Sequence, residues 1–188
     1  MKKPQTFKYT DEVDKAIKKI FDEYQNLFDY KKYKKGDTLL AKGETITHDF
    51  LVIEGIIKAS INSPRADGEA ILTFFGPGNS ILPYRSDLPE NSISSVTFEV
   101  YQDAKIQRIH KDSWEKIRKE NPLIDVIMQD DLFRVLERMM VQAEINTHTS
   151  AEKRFRLWRE VYPFLDDIDT ENIAARMGIS EATAKRVK

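Results

Sequence analysis

Seven residues near the end of the chain, Ser180, Glu181, Ala182, Thr183, Lys185, Arg186 and Lys188, have the types and spacing to read a nucleic-acid surface. Their chemistry is recognition rather than bond-making. Arg186 can give guanine a bidentate pair of hydrogen bonds, worth about 1–3 kcal/mol of discrimination. Glu181 can accept from a cytosine amino group, and Ala182 can touch a thymine methyl. Ser180 and Thr183 are spaced for phosphate contacts, with Lys185 and Lys188 beside them. Such side chains act together only if one short helix presents them, and the stretch 168–188 reads as two helices joined by a tight turn. Asp169 or Thr170 caps the first, which carries Ile173, Ala174 and Met177 inward. Gly178 makes the turn, and Ser180 caps the second, with Ala184 and Val187 inward. Any two-helix hairpin of a helical bundle shares this pattern.

Charge points to the same end. A formal net charge of −1 over 188 residues excludes a surface coated in nucleic acid. Residues 176–188 nevertheless set Arg176, Lys185, Arg186 and Lys188 against Glu181 alone.

Other chemistry finds little support. Without cysteine there is no disulfide, no iron–sulfur cluster on thiolates, no cysteine-ligated zinc and no thiol redox sensing. His48, His110 and His148 lie far apart with no metal-ligand spacing, so no metal is assigned. Asp130-Asp131 and Asp166-Asp167 could be imagined as catalytic carboxylates. Neighbours on a helix point about 100° apart, however, and a solvated face is the better reading. With no nucleophile and no paired acid and base, the chain does not read as an enzyme. It has no apolar run behind its first residues and none long enough to span a bilayer, so it is expected to be cytoplasmic, with no membrane partner.

The elements that must position the hairpin can be read upstream. Val13, Ile17, Ile20, Phe21, Tyr24 and Leu27 recur at three- and four-residue intervals, as in an amphipathic helix over 11–28. Six of the seven glycines then fall within 36–78, between short runs that read as strands: 38–40, 50–53, 56–61 and 70–75. Asp67-Gly68 is a hairpin signal, and alternation at Val96, Phe98 and Val100 followed by residues 105–110 adds further strands. Many short strands at regular spacing imply a closed antiparallel barrel or sandwich. A short helix follows, capped near Asp112 and stopped at Pro122. Residues 123–147 hold neither Gly nor Pro, so the spacing predicts one helix about 36 Å long at about 1.5 Å per residue. Its heptad-like seam is Met128, Leu132, Val135, Met139 and Gln142, with Leu136, Met140 and Ala143 on an adjacent stripe. Two apolar faces imply two partners: one stripe covers the barrel mouth, the other pairs with a second copy of the helix. Residues 147–150 break the pattern and mark a domain boundary, after which Phe155, Leu157, Trp158 and Val161 side one more helix.

This order resembles that of the Crp/Fnr transcription regulators. The resemblance is carried by Tyr33 to Glu44, by Phe50 to Lys58, by Phe74-Phe75-Gly76-Pro77-Gly78-Asn79-Ser80 and by the turn Gly178 to Thr183, so that it covers the chain from about residue 10 onward. Ser150 to Phe155 followed by Tyr162-Pro163 is similar to short-form members that stop after the recognition helix. A winged member would continue into a β-hairpin, so the sequence is either such a short form or truncated. The resemblance implies double-stranded DNA, a second copy of the chain and RNA polymerase as partners, and an effector bound in the barrel. The cyclic-AMP branch grips its ligand with a Gly-Glu pair and an Arg followed by a small residue. Here Pro83 stands about where the Glu belongs, and residues 91–95 hold no Arg. Leu82, Pro83, Tyr84, Arg85, Ser94 and Ser95 are the candidate effector pocket, for a small effector other than cyclic AMP or for none. The recognition helix also departs from the best-known pattern: of the expected Arg, Glu and later Arg, only Arg186 matches, which implies a different operator.

The expected class is therefore α+β: an antiparallel double-stranded β-helix, or jelly-roll-like barrel, with a long dimerisation helix and a small all-α helix-turn-helix domain. The expected domains are 1–120 (amino-terminal helix and barrel), 121–148 (dimerisation helix) and 149–188 (helix-turn-helix). The alternative is a small-molecule-binding module whose last helices contact a protein rather than DNA. No cofactor is expected beyond an unknown effector.

Overall fold

A computed structural model describes residues 11–63, 68–83, 92–148 and 150–188. Its elements follow in chain order as helix α1 (Asp11–Glu23), strands β1 (Phe28–Tyr33), β2 (Thr38–Leu40), β3 (His48–Ser63), β4 (Gly68–Phe75), β5 (Ser80–Ile81) and β6 (Thr97–His110), then helices α2 (Lys111–Glu120), α3 (Leu123–Thr147), α4 (Ala151–Val161), α5 (Thr170–Met177) and α6 (Glu181–Val187). The sheet is antiparallel in the order β1-β6-β3-β4, with β2 on β6 and β5 on β3. The α+β class and the element order agree with the sequence reading.

Two predicted strands turn out to be one. Residues 50–53 and 56–61 are joined through Gly55, whose φ of +85° suits glycine. A Cβ there would stand 2.3 Å from the Asp103 carbonyl oxygen, so no other residue fits. The register against β6 slips around Gly55, and the slip reverses which side chains face inward. Phe50 and Val52 point into the barrel before it; Ile57 and Ala59 do so after it. Ile56 is thereby sent to the outer face, where Phe74 and Tyr101 join it in a second cluster. Residues 96–100 and 105–110 likewise belong to a single strand, β6. Strand β1 was not foreseen: Phe28-Asp29-Tyr30-Lys31-Lys32-Tyr33 is too polar to alternate, and it holds its place by pairing with 104–109 of β6. Asp67 of the expected hairpin lies outside the described residues.

Three apolar clusters organise the chain. One fills the barrel, one packs α1 and α2 with the start of α3 around Trp114 and Ile124, and the third joins the outer sheet face to the C-terminal helices. Helix α3 is thus anchored at both ends, by Ile124, Ile127 and Met128 at one and by Val141 and Ile145 at the other. Its middle is bare: Leu132, Phe133, Leu136, Met139 and Met140 are exposed, Met140 at 72%. The predicted seam lies on the border between the buried and bare sides. Met128 packs within its own chain, Val135 is half-buried, and Gln142 is 8% exposed and turned inward, so Gln142 is not an outward seam position. At about 100° per residue, the bare face is rotated by roughly 80° towards Leu136 and Met140, the stripe read as secondary. A heptad count finds the stripe but not which flank the domain will claim.

Candidate nucleic-acid interface and its junction with the barrel

Helices α5 and α6 form through local chemistry that the sequence displays. Asp169 caps α5 by accepting from the Asn172 N–H at 2.8 Å. Gly178 takes the left-handed conformation (φ +63°), and the Ile179 N–H returns to the Ala174 carbonyl at 3.1 Å, closing the helix end. Ser180 caps α6, its hydroxyl accepting from the Thr183 N–H at 3.1 Å. Ile173, Ala174, Met177 and Ala184 turn inward against Phe155, Leu157 and Trp158 of α4.

Of the seven predicted contact residues, Glu181, Ala182, Lys185 and Arg186 share one exposed face of α6. Glu181 and Lys185 form an ion pair at 2.6 Å across one helical turn, which DNA would have to compete with. Arg186 makes no ion pair among the described residues and is the cation most available to a base. The Ser180 and Thr183 hydroxyls lie 2.8 Å apart and hold the helix start. Lys188 donates to the Ile168 carbonyl at 2.5 Å. Arg176 needs a larger correction. Counted from the sequence among the cations of the basic end, it is turned inward, its guanidinium 4.5 Å over the Trp158 ring and donating to the Gln142 side-chain oxygen at 2.9 Å. Burial pushes its pKa below the ordinary guanidinium value.

That guanidinium ends a chain of polar contacts across three elements. Gln142 of α3 donates to the Thr73 hydroxyl of β4 at 3.2 Å, and Thr73 lies 3.2 Å from the Tyr162 hydroxyl, which follows α4. A second link joins the barrel directly to α5. The Tyr101 hydroxyl donates to Asp169 at 2.6 Å while accepting from the Asp169 N–H at 2.7 Å. Burial, with the Asp169 carboxylate adding to it, drives the Tyr101 hydroxyl up to about 12, so it remains a donor. For Asp169, burial acts to raise the pKa, but the hydrogen bonds from Tyr101 and Asn172 outweigh it and hold the carboxyl below its usual value. Gly76 completes the junction: a Cβ there would fall 2.2 Å from the Phe164 ring. None of Thr73, Tyr101 and Tyr162 is marked by local sequence, because their partners stand 68 to 89 residues away.

Of the six candidate effector residues, the four that are described, Leu82, Pro83, Ser94 and Ser95, do not line one pocket together. Tyr84 and Arg85 lie outside the described residues. Ser94 is buried, but its hydroxyl donates to the Val96 carbonyl at 2.6 Å and its backbone pairs with Gly43 and Glu44, so its polar groups fix a loop. Ser95 is exposed and Pro83 half-buried. Leu82 lines a cleft that opens between β3, β6 and helices α1 to α3. On the inner face of the sheet, Val52, Ile57, Val100 and Ile106 are at 0% exposure.

His48 and His110, distant in sequence, are paired across β3 and β6 with ring centroids 5.0 Å apart. Burial first, and then Arg108 and His110, push the His48 pKa down. Among the described residues, no three His, Cys, Asp or Glu side chains converge as metal ligands, and no helix is long and apolar enough to cross a membrane.

No family model and no curated protein matches the sequence. Solved structures do match the fold. The catabolite activator protein of Thermus thermophilus, 19% identical, aligns over 90% of this chain and 80% of its own with a TM-score of 0.55. A CooA mutant from Carboxydothermus hydrogenoformans aligns at 17% identity and TM-score 0.62, covering 86% of this chain and 75% of that one. The c-di-GMP-responsive global regulator CLP of Xanthomonas campestris gives 14% identity and TM-score 0.66 over 90% and 89%. At such identities the likeness is one of fold.

Proposed function

We propose, for a chain with the fold of the Crp/Fnr regulators, that it is a homodimeric, sequence-specific DNA-binding transcription regulator whose barrel domain answers to a small effector other than cyclic AMP. The observation that carries this reading is α3: one helix, anchored at its start beside the barrel and at its end in the helix-turn-helix cluster, with a bare apolar stripe between. A second copy is the occupant of that stripe, since exposed Leu, Phe and Met side chains in a row are otherwise a liability in water. Dimerisation sets two α6 helices relative to half-sites about 34 Å apart, and the polar links at Gln142 and Tyr101 give an effector a route from barrel to DNA. RNA polymerase is the further partner such a regulator would meet, no catalytic step or resident metal is required, and the place of action is the cytoplasm.

The test is Arg186→Ala. Binding to a two-fold operator found by footprinting should lose discrimination at one base pair per half-site, about 1–3 kcal/mol. Equal binding of all operator variants by wild type and mutant would sink the assignment. A DNA affinity that falls steeply with salt separates this reading from one in which α6 contacts a protein, because only phosphate neutralisation releases condensed counterions.

A further inference from the structure

The chain has no thiol, so its sulfur is confined to methionine thioethers, five in all. They are not equally placed. Met177 is 5% exposed inside the C-terminal cluster, and Met128 is half-buried against the cluster around Trp114 and Ile124. Met1 lies outside the described residues. Met139 and Met140 instead stand on α3 at 59% and 72% exposure, Met140 the barest large apolar side chain among the described residues. They close the bare stripe that begins at Leu132, about 12 Å away at about 1.5 Å per residue. Just beyond them Val141 and Ile145 return to the C-terminal cluster, and Gln142 meets Thr73 and Arg176. The two sulfurs therefore sit where α3 leaves its open stretch and enters the junction with the C-terminal helices. A thioether carries no proton, so its lone pair is nucleophilic at any pH and access decides which methionine reacts.

We propose that Met139 and Met140 form a redox-modification site: a hydroperoxide oxidises either thioether to the sulfoxide, and the sulfoxide blocks the pairing of α3 with a second copy. The regulation rests on the reading of α3 as the dimer helix; the selective oxidation does not. In the step, the sulfur lone pair attacks one oxygen of hydrogen peroxide, and an S–O bond forms as the O–O bond breaks. The transferred oxygen passes its proton to the departing hydroxide, so the peroxide is reduced to water and the sulfur is oxidised by two electrons. The product is polar where the stripe is apolar. Leu132, Phe133 and Leu136 offer no donor to a sulfoxide oxygen, so pairing would bury it unsatisfied. Two-fold symmetry puts at least two such groups into every dimer of oxidised chains. Association covers both sulfurs, so the oxidant acts on the dissociated chain and draws the equilibrium towards it by mass action.

Hydrogen peroxide on the full chain is the probe, with sulfoxides located by peptide mass spectrometry and association followed by sedimentation. Met139 and Met140 should be oxidised before Met128 and Met177, and more slowly as the chain concentration is raised through the dimer dissociation constant. Sulfoxides at both positions should raise that constant about a hundredfold, the effect of two buried polar groups left unpaired. Methionine sulfoxide reductases should reverse the change. Met139→Leu/Met140→Leu is compared with its own untreated form, whatever its starting constant, and peroxide should leave that constant unmoved. Oxidation of Met177 as fast as Met140, a dimer indifferent to sulfoxide at both positions, or an equal peroxide response in the double variant overturns the proposal. So does a rate independent of concentration in a chain that dimerises, because the interface then lies elsewhere. An untreated chain that stays monomeric at every concentration sinks the dimer reading, and the regulation with it, a result distinct from a dimer that tolerates the sulfoxide.

Discussion

The two faces of the sheet are packed in different ways. Inside the barrel, aliphatic and aromatic side chains such as Val52, Ile57, Val100 and Ile106 meet one another. On the outer face, Ile56, Phe74 and Tyr101 pack against α4 and α5, but Tyr162, Thr73, Gln142 and Arg176 are also joined there in series by polar contacts. The same region holds three buried donors without acceptors, at Arg154, Trp158 and Arg176. An apolar contact tolerates small displacements, whereas a polar series is satisfied in one arrangement and costly in others. The inner face therefore gives stability, and the outer face gives one specified placement of the C-terminal helices at less stability.

Removing Trp158 is the strongest way to break that contrast. Trp158→Ala leaves a cavity at a residue 1% exposed and strips the ring from beneath Arg176, a loss of about 3–5 kcal/mol. The C-terminal helices should detach while the barrel persists, seen as early protease cleavage between α3 and α4 with barrel amides still protected from exchange. Loss of both in one transition would mean that the two faces form a single cooperative unit.

Gln142→Leu asks the same question with a smaller change. The apolar contact is kept, but the Arg176 guanidinium and the Thr73 hydroxyl each lose a partner, at a cost of about 1–3 kcal/mol. A comparison inside the barrel, Ile106→Val, should cost about 0.5–1.5 kcal/mol. Urea unfolding that found Gln142→Leu neutral would show that the polar series adds nothing over apolar packing.

Local signals account for what the sequence disclosed. The caps at Asp169 and Ser180, the left-handed turn at Gly178 and the uninterrupted run 123–147 each depend on residues within a few positions of one another. What the sequence hid depends on distant partners. Strand β1 exists because β6 pairs with it, and Gln142 and Arg176 face inward because Thr73 and Trp158 wait there. Nothing about Arg176 itself separates it from Arg186: both are cations near the end of a short helix. The exposed face of α6 was therefore legible, because helical period alone assigns it. It was not legible at the junction or in the cleft beside Leu82, where residues from five or more elements must meet.

The smallest expected effect concerns the link between Tyr101 and Asp169. Because the folded state holds the Asp169 carboxyl below its ordinary value of 3.8, the unfolded chain binds the proton more readily. Its contribution is thus fully present above the unfolded value and is lost as the pH falls through the folded one. Tyr101, raised to about 12, keeps its proton throughout this range. Asp29, Glu69 and Asp103 are also held low, by Arg108, Lys58 and Lys34 on the barrel side, so acid weakens the barrel as well. Asp169→Asn isolates the junction: the amide oxygen of asparagine can still cap α5 in the place of Oδ1, but an NH2 replaces the Oδ2 that accepts from Tyr101, so that acceptor and the charge are both lost. Amide exchange in α5 should be faster in Asp169→Asn than in wild type at neutral pH, and the two should converge once the wild-type carboxyl is protonated. A difference that persists undiminished in acid would mean that the carboxylate charge plays no part in holding α5 to the barrel, leaving the Gln142–Arg176 contact as the element that distinguishes the outer face from the inner.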